Sequence, residues 1–162
     1  MGRVLSRRVR ILAFLLPVLL AACASAPTAV SSSQRTGESK AERAAGNALK
    51  MLGRPYHFGG ATPSSGFDCS GLVQYSYRQV GLTLPHNTEK QRLTGRHIQK
   101  AELRRGDLIF FDQEGKKNSH VGIYLGNGEF VHAPSSGKHV RSDRLDAPYW
   151  KKHFSEARRV SA

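Results

Sequence analysis

Apolar residues recur at Ala41, Ala44, Ala45, Ala48, Leu49 and Leu52, the three-and-four spacing of one helix face, and Gly53 supplies a stop. A second face, Leu72, Val73, Tyr77 and Val80, predicts a helix closed by Gly81, with Cys69 at or just before its first turn. Residues 88–93 predict a short third helix with Asn87 as N-cap. Residues 53–60 between the first two helices are turn-rich. From Asp107 onward the period changes. Residues 107–111, 120–125, 129–133 and 138–141 read as strands separated by Gly, Asn, Pro and Ser, and 157–160 as a closing strand. Helices first and an antiparallel sheet second describe an α+β domain. There is no internal repeat.

The first 22 residues follow another pattern. Arg3, Arg7, Arg8 and Arg10 precede an apolar run over 11–20, and small residues lead to Cys23, the form of an export signal. The run is too short to span a bilayer, which takes about 20 apolar residues. Leu20-Ala21-Ala22-Cys23 resembles the lipobox of bacterial lipoproteins. That resemblance implies lipidation of Cys23, a new N-terminus there and a membrane anchor, each buried CH₂ contributing about 0.8 kcal/mol. Residue 24 is Ala24 rather than Asp, so in a Gram-negative cell the resemblance implies sorting to the outer membrane, at its periplasmic face. A secretory signal that ends by chance in cysteine is the plainer alternative. Residues 24–40 are rich in Ser, Ala, Thr and Gly and read as a flexible tether. The expected organisation is therefore a signal over 1–22, a lipidated tether over 23–40 and one domain over 41–162.

Charge narrows the partners. The chain carries 25 Lys and Arg against 12 Asp and Glu; without the four leader arginines 21 remain against 12, a balance of +9. A basic surface outside the cytoplasm suits anionic polymers such as murein peptides, teichoic acids or lipopolysaccharide. A merely soluble, solvated surface accounts for the same charge equally well. No nucleic-acid-binding signature is present.

If Cys23 is lipidated, Cys69 has no disulfide partner within its chain. A thiolate is a strong nucleophile, and a helix start favours negative charge and offers N–H groups to an oxyanion. A buried structural cysteine is the alternative, and the polar Asp68-Cys69-Ser70 setting argues against it. A base must lie within hydrogen-bond reach of the thiol, and His120 and His132, on consecutive predicted strands, are the candidates. A two-residue Asn127-Gly128 loop with an undistorted ladder would pair His132 with Ile123 and put the two histidines on opposite faces. A three-residue loop of Gly126-Asn127-Gly128 pairs His132 with Gly122, diagonal to His120 on one face, and is the form expected. His57, His86, His97, His139 and His153 suit solvent-exposed roles. A zinc site is disfavoured because no close Cys-x-x-Cys pair exists, so neither metal nor cofactor is expected.

Four motifs occur in order: Asp68-Cys69-Ser70-Gly71-Leu72-Val73, Gly106-Asp107-Leu108-Ile109-Phe110-Phe111, Ser119-His120-Val121-Gly122-Ile123-Tyr124 and Phe130-Val131-His132-Ala133. Together they resemble the NlpC family of papain-like cell-wall peptidases. The ending Pro148-Tyr149-Trp150-Lys151-Lys152-His153-Phe154 and Ala157-Arg158-Arg159 is similar to the Spr-type lipoprotein murein endopeptidases within it. The resemblance implies a papain-like α+β fold with the cysteine helix packed on the histidine strands. It implies Cys69 as nucleophile, His120 as general base and acid, and His132 as the residue orienting the imidazole. Tyr56 matches the family's tyrosine in the Pro-Tyr-x-x-Gly-Gly segment, whose hydroxyl would help hold the oxyanion or order the site; a half-buried loop tyrosine is the alternative. Asp68 and Ser70 match positions that bind a free stem-peptide amine in some members, although Asp68 suits a helix cap equally well. Arg105 and His86 depart from the family's usual proline and arginine.

The implied activity is cleavage of peptidoglycan peptide bonds by a monomer. A silent murein-binding scaffold, or an amidase or acyl transferase using the same thiol, are the alternatives. Whether the bond is a D,D-crosslink or the D-Glu to diaminopimelate link stays open.

Overall fold

The computed structural model describes residues 37–135 and 137–161. The leader, Cys23 and residues 24–36 of the expected tether lie outside the described residues. Helix α1 spans Lys40–Leu49. Ser39 caps it, and Glu42 reaches back to the Ser39 N–H, so two otherwise orphaned N–H groups are satisfied. Its Ala44, Ala45 and Ala48 are buried, as the spacing predicts. Helix α2 is Cys69–Arg78 and helix α3 is Thr88–Arg92, capped by Asn87 as expected.

Strands β1 (Ala61–Thr62) and β2 (Gly66–Phe67) form a small hairpin before α2. The six-stranded sheet contains β3 (Arg96–Ile98), β4 (Leu108–Gln113), β5 (Lys116–Gly126), β6 (Glu129–His132), β7 (Arg141–Arg144) and β8 (Phe154–Arg159). Its order is β3-β8-β4-β5-β6-β7, and every pairing is antiparallel. Helix α4, Pro148–His153, precedes β8.

Strand alternation divides the core between the two faces of this sheet. Leu108, Phe110, Val121, Ile123 and Val131 pack with α1 and α2. Ile109, Phe111, Phe130 and Ala157 pack with Leu145 and Trp150 on the other side. The architecture is the expected α+β arrangement, with α2 against β5.

Three expectations need correction. The strand read over 138–141 lies at Arg141–Arg144 instead. Tyr56 N–H donates to Lys138 O, Val140 N–H to Arg54 O and Gly53 N–H to Val140 O, so this segment closes onto the turn after α1. Strand β8 begins at Phe154 rather than at 157, directly after α4, which the sequence reading did not anticipate. The hairpin between β5 and β6 closes with a two-residue turn, Gly126 pairing with Glu129. Asn127 and Gly128 both have positive φ, 51° and 78°, as a type I′ turn requires. The odd residue appears as a bulge between Tyr124 and Gly126, where Gly126 has φ 99°. Beyond that bulge Tyr124 faces Phe130 and Ile123 faces Val131. Extending this register sets Gly122 opposite His132, the pairing that places both histidines on one face.

Candidate active site

Cys69 is the first residue of α2, and Asp68 is its N-cap. Asp68 Oδ1 accepts from Gly71 N–H at 2.7 Å and from Ser70 Oγ at 3.0 Å. A Cβ on Gly71 would lie 2.0 Å from Gly60 O, so only glycine permits this close approach of the helix to the preceding turn. The thiol is half-buried, and its Sγ lies 3.7 Å from Thr88 Oγ1. Burial raises its pKa above the usual thiol value, Thr88 opposes that, and the Asp68 charge raises it further. Backbone N–H groups of Val121 and Ser70 act to lower it, without reversing the net shift. The N–H groups at the helix start thus favour the thiolate as expected, but desolvation outweighs them.

The thiol thus lies against the peptide joining His120 to Val121. No hydrogen bond joins Cys69 to His120. His120 is 2% exposed and His132 0%, and both lie on the Trp150 side of the sheet. His120 Nε2 and His132 Nδ1 share a 2.8 Å hydrogen bond. On β5 between His120 and Ile123, Gly122 makes room for Phe130: a Cβ there would meet Phe130 Cδ2 at 2.7 Å. The Trp150 ring stacks on His120 at 5.7 Å between centroids. Burial pushes the His120 pKa well below the usual histidine range; the His132 charge lowers it further and Asp143 opposes. Burial lowers His132 as well, opposed by its hydrogen bond to Asp143 and by the Asp143 charge.

Asp143, which sequence reasoning missed, completes the row. His132 Nε2 lies 3.0 Å from Asp143 Oδ2, and Trp150 Nε1–H donates to the same oxygen at 3.0 Å. Arg141 donates to it from Nη2 at 2.8 Å and from Nε at 3.1 Å. Burial would raise the Asp143 pKa, but the hydrogen bonds from His132 and Arg141 and their charges bring it down to about 2. In the sequence its one signal is a place two residues after Arg141 in a polar segment, which does not distinguish it from a surface acid.

The other expected site residues gather around the thiol. A cleft of about 440 Å³ is lined by Tyr56, Phe58, Cys69, His86, Thr88 and Lys117, among others. The Tyr56 pKa is raised by burial and then by the charges of Cys69 and Asp68, which places its hydroxyl in their field. Asp68 is saturated: besides capping α2, its Oδ2 accepts from Gly59 N–H at 2.9 Å. His86 Nε2 lies 3.0 Å and 3.1 Å from its two oxygens. His86 is therefore half-buried and paired rather than solvated, while His57, His97 and His139 are exposed. Phe58 is 85% exposed on the rim. Among the described residues, no group of three or more His, Cys, Asp or Glu side chains is placed to hold a metal ion. No helix of the described residues is long and apolar enough to cross a membrane.

The geometry has clear relatives. The profile of the NlpC/P60 family matches residues 53–159. Murein DD-endopeptidase MepH of Escherichia coli K12 is 40% identical over 126 residues, 75% of this chain and 46% of that protein. Murein DD-endopeptidase MepS/Murein LD-carboxypeptidase of the same strain is 47% identical over 106 residues, 65% of this chain and 55% of that protein. The chain thus spans about half the length of these relatives. The crystal structure of an NlpC/P60 family protein from Bacillus cereus superposes with a TM-score of 0.70 at 33% identity, over 75% of this chain and 40% of that one. A Staphylococcus aureus protein described as similar to lipoprotein, NLP/P60 family, gives 0.67 at 38% identity, over 76% and 42%. With a matching profile, relatives at these identities and a shared fold, this chain belongs to the NlpC/P60 family.

Proposed function

We propose that this chain is a cysteine endopeptidase of the bacterial cell envelope that hydrolyses peptide bonds in murein. The observation that carries the reading is the hydrogen-bonded His120–His132 pair, buried on β5 and β6 where β5 meets the thiol at the start of α2. The names of relatives that cleave murein crosslinks or stems support the substrate class. Cys69 is the nucleophile. In the resting arrangement its thiol is protonated and sits on Thr88, so its proton must pass to His120 as Sγ turns from Thr88 toward the substrate carbonyl. A buried, neutral His120 is competent to accept that proton. The developing oxyanion is held by N–H groups at the start of α2 and by the Tyr56 hydroxyl. His120 returns the proton to the leaving amine, and water then releases the acyl group from Cys69.

Asp68 acts as cap and brace of the thiol's helix, its oxygens being already taken. That arrangement suits a substrate without a free amine at this point, which favours crosslinked peptides over trimmed stems. The lipobox-like segment supports export, lipidation at Cys23 and residence at the periplasmic face of the outer membrane, with the tether letting the domain reach the wall.

The test is digestion of purified murein sacculi by the wild type and Cys69→Ala, with mass spectrometry of the products. Loss of crosslinked dimers with the wild type alone is expected. Identical products from both proteins overturn the reading.

A further inference from the structure

The row His120, His132, Asp143 has a direction. Asp143 Oδ2 receives Arg141 Nε–H, Arg141 Nη2–H and Trp150 Nε1–H, all of them obligate donors, so it is an acceptor. Facing that oxygen at 3.0 Å, His132 Nε2 must carry a hydrogen. A neutral imidazole holds one N–H, so His132 Nδ1 is then bare. His120 Nε2 lies 2.8 Å from this bare nitrogen and must in turn be the donor. The remaining nitrogen of His120, Nδ1, is left without a proton and free to act as base.

We propose that Asp143 is a positioning residue whose carboxylate fixes the tautomers of both His132 and His120, leaving His120 Nδ1 as the bare nitrogen that takes the Cys69 proton. Without an acceptor at Asp143, His132 has no contact in this structure that prefers Nε2–H over Nδ1–H. In the Nδ1–H form it would donate to His120 Nε2 and move the proton of His120 onto the wrong nitrogen. A surface ion pair between Arg141 and Asp143 would form on one strand face without any of this. Trp150 is what argues for more, since its indole both stacks on His120 and donates to the Asp143 oxygen that meets His132. The carboxylate faces Arg141 on its own strand and the two histidines from β5 and β6, and Lys138 adds its positive charge near His132.

The catalytic consequence rests on the peptidase reading, but the tautomers can be read without substrate. Long-range nitrogen–proton correlation NMR on ¹⁵N-histidine-labelled wild type near neutral pH should show His132 and His120 both as the Nε2–H form. His132 found as Nδ1–H overturns the inference, whatever the enzyme does. In Asp143→Asn, which preserves shape, the kcat plateau is expected to fall at least about tenfold, a milder loss than the ~10⁴-fold drop when a triad aspartate is changed likewise. The acid limb of kcat/KM should also move to lower pH, because the charge that favours protonated histidine has gone. An unmoved acid limb and an unchanged tautomer in a folded Asp143→Asn protein also overturn it. A wild type with the expected tautomers that leaves murein intact contradicts the peptidase reading and leaves the positioning role standing.

Discussion

Cys69 Sγ rests 3.7 Å from Thr88 Oγ1 and makes no hydrogen bond to His120, so the thiol is held by a hydroxyl while the histidine proposed as its base is held by a second histidine. Under the proposed mechanism these two contacts have to be rearranged before the thiol proton reaches His120. Thr88 supports the thiolate, since its contact lowers the Cys69 pKa against the effect of burial. Thr88→Val should therefore raise the thiol pKa and slow alkylation of Cys69 by iodoacetamide at pH 7 several-fold. Alkylation at an unchanged or faster rate would contradict this role.

Asp68 has the opposite electrostatic effect on the same thiol, because its charge raises the Cys69 pKa. Asparagine caps helices about as well as aspartate, so Asp68→Asn should cost less than ~1 kcal/mol in cap strength. Its alkylation at neutral pH should be faster than that of the wild type. Asp68→Ala removes the cap as well and should unfold at clearly lower denaturant, which urea titration would measure.

Gly122 leaves the space on β5 that the Phe130 ring and the Val131 carbonyl of β6 fill. A Cβ would press on Phe130 Cδ2 at 2.7 Å and Val131 O at 3.0 Å. Gly122→Ala should cost about 1–3 kcal/mol as an overpacked site and should lower activity by shifting β6, the strand that carries His132. Thermal denaturation and digestion rate together check this, and a neutral effect on both would be the contrary result.

The two buried histidines also set a dependence of stability on pH. Their folded pKa values are depressed below the 6.5 of an ordinary histidine, so below about 6.5 the unfolded chain binds protons that the folded chain refuses. Stability is full above that pH and falls as pH drops toward the folded values. Asp143, at about 2 in the fold, adds a second loss between about pH 4 and 2. The melting temperature should fall from pH 7 to pH 5, and a flat profile over that interval would contradict the burial argument.

Much of this site can be read from residue patterns, and the unread part has a physical reason. Asp68 before a periodic apolar face, with Gly71 inside the first turn, marks the start of α2 and so the place of Cys69. The parity of the β5–β6 connection required a distorted or odd-numbered turn if His120 and His132 were to share a face. The bulge before Gly126 supplies the distortion while the turn itself keeps two residues. Asp143 was illegible because β7, Arg-Ser-Asp-Arg, has no apolar alternation and is mostly exposed. Such a strand is defined by its partner β6, not by its own side chains. Helix α4 has six residues, too few to show a period, and its Pro148 at the first turn was the one usable signal.

The central claim is that Cys69 forms the acyl intermediate on a murein peptide. The most direct measurement is acid-quenched mass spectrometry of the protein during turnover of a soluble crosslinked muropeptide. An adduct with the mass of the acyl fragment, mapped to the peptide containing Cys69 and absent from Cys69→Ala, is the expected result. Turnover of the same muropeptide by Cys69→Ala at the wild-type rate would contradict it.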